Sequence, residues 1–159
     1  MHIDPGDFTP EALAAIAPTC SACESGAVTL VGIDRIYPHR HDLRQRDDGS
    51  TPYYWLCGCG AYCGAHRDTL KPFGTPADLE TRRARQDAHA AFDPLWRRKM
   101  AKEGISQTKA RGKGYKWLAG QLGMDPKRCH IGEMTAVDAR RVVEICRSPS
   151  RNLSKGPQP

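Results

Sequence analysis

Cys20-Ser21-Ala22-Cys23 and Cys57-Gly58-Cys59 place four thiols in two close pairs separated by 33 residues. Tetrahedral zinc takes four thiolate or imidazole ligands, and two tight pairs are how a short chain delivers them. A turn carrying two cysteines aims both sulfurs at one point, and Gly58 and Gly60 let the backbone bend around it. The chain has seven cysteines, an odd number, and its first residues carry Asp4, Asp7 and Glu11 rather than a basic leader. Both features argue against a secreted disulfide framework. No thioredoxin-like βαβ pattern surrounds the CxxC, so a redox role is not expected, and buried free thiols are the bland alternative. The simplest closed set is Cys20, Cys23, Cys57 and Cys59, with Cys63 and His66 four and seven positions beyond Cys59 as competitors. A closed four-thiolate site has no open coordination position, so it would be structural rather than catalytic.

Two other clusters carry titratable groups. His39-Arg40-His41-Asp42, with His66, could hold a catalytic metal or do acid–base chemistry in a nuclease. His39 and His41 share a face only in an extended segment, so a solvated loop or a secondary phosphate-contacting strip is the expectation. Cys129-His130 and Cys146 supply only three ligands, and Cys146 falls on an apolar helical face. Packing thiols beside a hydrogen-bonded histidine are expected there.

Short strands must carry the cysteine turns. Residues 27–33 (Ala-Val-Thr-Leu-Val-Gly-Ile) are β-branched and apolar, as is Tyr53-Tyr54-Trp55-Leu56 just ahead of the second pair. The polar run from Arg44 to Pro52, with Asp48-Gly49, is the connecting loop. Such a module buries few apolar residues, and one structural zinc contributes on the order of 10 kcal/mol to a fold of this kind. The second half is helical. Thr75-Pro76-Ala77-Asp78 predicts a helix start, and Ala84, Ala88, Ala91 and Leu95 recur on one face. Pro94 is expected to kink or restart this helix, with Asp93 as the new cap, before it ends near Gly104. A second helix is expected over Ser106 to Leu122, with Tyr115, Leu118 and Leu122 inward and Gly123 beyond its end. Thr135 to Asp138 resembles a capping box for a last helix carrying Val137, Val142, Val143, Ile145 and Cys146. From Ser148 a proline-rich tail is expected to be disordered.

The 159 residues carry a net charge of +6, unevenly shared. Residues 1–66 hold four Lys/Arg against eight acids, whereas residues 67–159 hold twenty against ten. Ten of those cations lie between Arg97 and Arg128, with only Glu103 and Asp125 against them. Arg97, Arg98, Lys99, Lys102, Lys109, Arg111, Lys113 and Lys116 flank one helix junction, interleaved with Tyr115 and Trp117. Cations neutralise phosphates and release counterions, while aromatics stack on bases, so this is the composition of a nucleic-acid-contacting surface. An acidic protein partner would be steered by the same charge, and a solvated helix face with Tyr115 and Trp117 in the core is the plain alternative. The longest apolar run, Ala12 to Pro18, is too short to span a membrane, so a cytoplasmic protein without membrane contact is expected.

Several strings together carry a resemblance: Cys57-Gly58-Cys59-Gly60-Ala61-Tyr62 with Gly64 and His66, and Pro72-Phe73-Gly74-Thr75-Pro76-Ala77-Asp78. Ala88-His89-Ala90-Ala91-Phe92-Asp93-Pro94-Leu95-Trp96 continues it, as do Tyr115-Lys116-Trp117-Leu118-Ala119, Leu122-Gly123-Met124 and Cys129-His130-Ile131-Gly132. The chain resembles a family of small zinc-finger-containing proteins of unknown function found in phages and bacteria, over most of residues 18–147. The resemblance implies a zinc ribbon-like module with a helical extension. It puts the family's cysteine pairs on Cys20, Cys23, Cys57 and Cys59, and Cys63 at a position usually filled by an apolar residue. The Arg35–Arg46 loop is longer than in that pattern, and no role follows for His89 or His130.

The expected fold class is α+β: an N-terminal extension (1–17), an antiparallel β zinc ribbon-like module (18–74), a helical region (75–147) packed with it, and a tail (148–159). The expected function is that of a non-enzymatic protein with one structural Zn2+. Nucleic acid is the expected partner, with an acidic host protein as the alternative and a metal-dependent nuclease as the weaker one.

Overall fold

The β-branched and aromatic runs form a three-stranded antiparallel sheet in the order β1-β2-β3: Val28–Gly32 (β1), Tyr53–Cys57 (β2) and Tyr62–Gly64 (β3). The computed structural model describes residues 3–148. It divides the chain into two units, Met1–Leu79 and Glu80–Pro159. Of the tail expected from Ser148, residues 149–159 lie outside the described residues. The fold class is α+β, with five α-helices among the described residues and a helical C-terminal half.

In the first unit, Leu30 pairs with Trp55 and Trp55 with Cys63, so these three side chains share one face of the sheet. Trp55 is fully buried there, and its indole N–H donates to the Leu70 carbonyl at 2.8 Å. Val28, Cys20, Cys57, Ala61 and Ala65 complete this small core. Thr9 and Pro10 start helix α1 (Pro10–Ile16), the Thr9 hydroxyl accepting from the Ala12 N–H at 3.2 Å. Leu13, Ile16 and Ala17 then pack on the Trp55 cluster. On the opposite sheet face, Tyr54 and Tyr62 meet Tyr37, which follows the short helix α2 (Ile33–Ile36). The Tyr37 and Tyr62 hydroxyls lie 2.6 Å apart.

The second unit holds α3 (Leu79–Glu103), α4 (Gln107–Leu122) and α5 (Ala136–Arg147). The helix start expected at Thr75-Pro76 is not used. Ala77 bridges to Tyr62, and the Pro76 carbonyl accepts from the Ser21 N–H at 3.0 Å. This stretch is thereby held extended beside the sheet, and the helix begins only at Leu79. Nor does Pro94 restart α3, which runs unbroken for 25 residues. An internal proline costs about 3 kcal/mol or more, but Ala84, Ala88, Phe92 and Trp96 bury one stripe on both sides of it. Asp93 is consequently no cap. Its carboxylate takes the Trp96 indole N–H at 3.0 Å, lies 3.4 Å from His89 Nδ1, and meets Arg97 at 3.7 Å. The inward stripe contains Phe92 and Trp96, with Ala91 and Leu95 only partly buried beside it.

The two later helices start where their caps predict. The Ser106 hydroxyl accepts from Lys109 N–H, Gly123 ends α4 at φ +66°, and Thr135 Oγ1 accepts from Asp138 N–H at 3.1 Å. Along α5, Ala139, Val142, Ile145 and Cys146 point inward, whereas Val137 is largely exposed. Arg85 is buried in this core, where its Nε–H donates to the Met134 carbonyl at 2.8 Å.

Candidate metal centre and cationic helical face

Two backbone turns present the four cysteines. In the first, Cys20 N–H donates to the Ser25 carbonyl at 2.9 Å, and Glu24 adopts a left-handed conformation to close the loop. In the second, which joins β2 to β3, Gly60 N–H donates to Cys57 C=O and Cys57 N–H to Ala61 C=O. Gly60 sits at φ +89°, a conformation that a side chain would strain. The sulfurs of Cys20, Cys23, Cys57 and Cys59 all lie within 4.8 Å of one another, the only such His/Cys/Asp/Glu group among the described residues. Cys20 Sγ is 3.7 Å from Cys59 Sγ, and Cys23 Sγ is 3.5 Å from Cys57 Sγ. Sulfurs each about 2.3 Å from a central zinc stand about 3.8 Å apart at the corners of a tetrahedron. The four thiols fit one structural zinc ion.

The thiol chemistry agrees with the geometry. Cys59 is held down to about 7, first by the Ala61 N–H and then by its thiol neighbours. Cys23, against the lowering pull of the Ser25 N–H, is pushed up to about 12 by Cys57 and Cys59. Four crowded sulfurs on their own thus share protons unequally, and a dication is what lets all four ionise together. A buried hydrogen-bond frame backs the site. The Pro76 carbonyl receives Ser21 N–H and the Ser21 hydroxyl at 2.8 Å, which ties the residue after Cys20 in place.

The competing ligands fall elsewhere. Cys63 is half-buried with its thiol 3.5 Å from the Gly74 carbonyl, and His66 packs its ring 4.3 Å from that of Phe73. His39, His41 and His66 form no metal-holding group among the described residues. Arg40 instead forms a two-bond pair with Asp42, at 2.9 and 2.7 Å, beside the 3-10 turn His41–Leu43. Cys129 and Cys146 are core thiols, and burial pushes Cys146 up to about 11. His130 stacks flat on Tyr115 at 5.6 Å, and burial lowers its pKa.

On the second unit, the cations of α3 and α4 border a groove of about 700 Å³. Lys99 and Lys113 both bind Glu103, at 2.6 and 2.8 Å, and these contacts hold its carboxyl down to about 2. Arg97 and Arg111 lie over the Trp96 ring, 5.3 and 5.8 Å from its centre. Arg98 donates to the Pro94 carbonyl. Lys102, Lys109 and Lys116 are exposed and have no ion-pair partner among the described residues. Tyr115 is not placed for stacking on a base: its ring packs 4.9 Å from Phe92 and against His130, and its hydroxyl is buried. Trp117 is half-buried and lines the groove. Sequence reasoning did not foresee the groove, because it depends on Gly114. A Cβ there would stand 3.0 Å from Phe92 Cζ and 3.2 Å from Trp96 Cβ.

No helix among the described residues is long and apolar enough to cross a membrane. No curated protein and no solved structure matches the chain. A family model described as a zinc-finger-containing domain matches residues 17–149. That span takes in both cysteine pairs and α3, α4 and α5, and the chain belongs to this family of zinc-finger-containing domain proteins.

Proposed function

We propose that this chain is a non-enzymatic, zinc-stabilised binding protein that contacts nucleic acid through the cationic face of α3 and α4. The observation that carries the reading is the set of exposed lysines, Lys102, Lys109 and Lys116, that no acid neutralises among the described residues. Lys116 lines the same groove as Trp96, whose ring Arg97 and Arg111 flank. Phosphates displace condensed counterions from such a face, so binding must weaken linearly on a log–log plot against salt. Mixed DNA and RNA fragments should bind at low salt. Lys109→Glu and Lys116→Glu should each lower affinity similarly for all sequences and reduce the salt slope by about 1. Absence of binding to either polymer at low salt overturns the reading.

The second reading is an acidic protein partner, which the exposed Lys102, Lys109 and Lys116 would steer as well as they steer phosphates. Affinity purification with nuclease treatment separates the two: a partner retained after nuclease digestion supports the protein reading.

A further inference from the structure

We infer that the groove between α3 and α4 receives an unpaired base, so that the ligand class is single-stranded nucleic acid. The inference rests on the phosphate-contact reading above and adds to it what the groove accepts. Its volume, about 700 Å³, lies within the range of small-ligand sites. Its walls are apolar where Leu95, Trp96 and Trp117 line it, and cationic at Lys99, Lys113 and Lys116. An apolar slot rimmed by cations fits a flat aromatic group attached to phosphates.

The two tryptophans have different duties. Trp96 is buried, its N–H is held by Asp93, and Arg97 and Arg111 occupy the approach to its ring. Trp117 is partly buried against the helical core, lines the groove, and makes no aromatic or cation contact among the described residues. The part of its indole that lines the groove is the surface a base would stack on. Gly114 lets the walls of the groove meet, since its missing side chain allows α4 to approach Phe92 and Trp96 closely.

The charge pattern favours a strand over an acidic peptide. Lys109, Lys113 and Lys116 recur at i, i+4 and i+7 along α4, a stripe about 10 Å long. Glu103 already satisfies Lys99 and Lys113. A lone carboxylate from a partner therefore meets one uncompensated cation at the rim, Lys116, whereas a repeating phosphodiester also reaches Lys109. A duplex keeps its bases stacked and paired, so it can touch the stripe but cannot fill the slot.

The test compares a mixed-sequence single-stranded oligonucleotide, an abasic oligomer of equal length, the matching duplex and an acidic helical peptide, all at one low salt concentration. The single strand should bind about tenfold or more tightly than the abasic oligomer and the duplex. Trp117→Ala should remove that advantage, bringing the single strand down to the affinity of the abasic oligomer, and Trp117→Phe should restore most of it. If Trp117→Ala melts early by circular dichroism, quenching of wild-type tryptophan fluorescence by the base-containing but not the abasic oligomer gives the same answer. Equal binding of single strand, abasic oligomer and duplex overturns base insertion and leaves phosphate contact standing. Absence of all three overturns both readings. Binding of the acidic peptide with no binding of the single strand makes the groove a protein-docking site and likewise overturns the inference.

Discussion

Cys57→Ser is expected to release the metal and unfold the Met1–Leu79 unit, whereas Cys63→Ser leaves both metal and fold in place. The buried core around the sheet consists of Cys20, Val28, Trp55, Cys57, Ala61 and Ala65. Two of the six are candidate ligands and two are alanines, and beyond Val28 and Trp55 the unit buries only Ile33 and Leu70 as large aliphatic side chains, so its apolar core is small. Against that, one structural zinc contributes on the order of 10 kcal/mol, more than the usual net stability of so small a unit. Cys57 also pairs with Val28 at the end of β2 and donates its N–H to Ala61, so losing the ligand loosens the turn and the sheet end together. Cys63, half-buried on β3 with its thiol on the Gly74 carbonyl, is isosteric enough with serine to change little. Metal analysis of the purified protein should find about one zinc per chain. Circular dichroism and metal content of the two variants then decide. Metal loss in Cys63→Ser would move Cys63 into the site and displace one of the four assigned thiols.

The second large effect is expected at Phe92. Its side chain is fully buried in α3, its ring lies 4.9 Å from Tyr115, and Gly114 of α4 approaches it closely. Phe92→Ala removes this keystone at a cost of about 3–5 kcal/mol, because the helices around it can collapse only partly into the space. Urea unfolding followed by tryptophan fluorescence should show the midpoint falling with little change in slope. A loss below about 1 kcal/mol would mean the site closes up freely. Gly114→Ala offers an internal check. Added to the wild type it crowds Phe92, but added to Phe92→Ala it enters vacated space, so the double variant should be more stable than the two single losses imply.

The metal centre was legible because its information is local: two short spacings fix two turns, and zinc accepts few alternatives to four ligands in pairs. The caps of α4 and α5 were legible for the same reason, since Ser106 and Thr135 act on N–H groups three residues away. The misread positions are those where distant partners decide. Thr75-Pro76 has the chemistry of a helix start, but the Ser21 and Tyr62 backbones claim Pro76 and Ala77 for the sheet unit. Pro94 has the chemistry of a break, but the buried stripe from Ala84 to Trp96 carries the helix past it. Strand β3, only three residues long, has too few side chains for an alternating pattern to register. Tyr115 turns inward as its helical position with Leu118 and Leu122 implies, its ring on Phe92 and His130, whereas Trp117, two residues on, lines the groove.

The Pro76 carbonyl has a consequence for how metal loading can be sensed. Two donors from the first cysteine turn converge on that one oxygen, Ser21 N–H and the Ser21 hydroxyl. Both belong to the residue after a ligand. Loss of the ion therefore unlatches residues 76–78, the extended stretch just ahead of α3. A protease that cuts only extended, unanchored backbone would find that stretch closed in the zinc-loaded chain and open in the stripped one, so a single cleavage band becomes a gauge of occupancy.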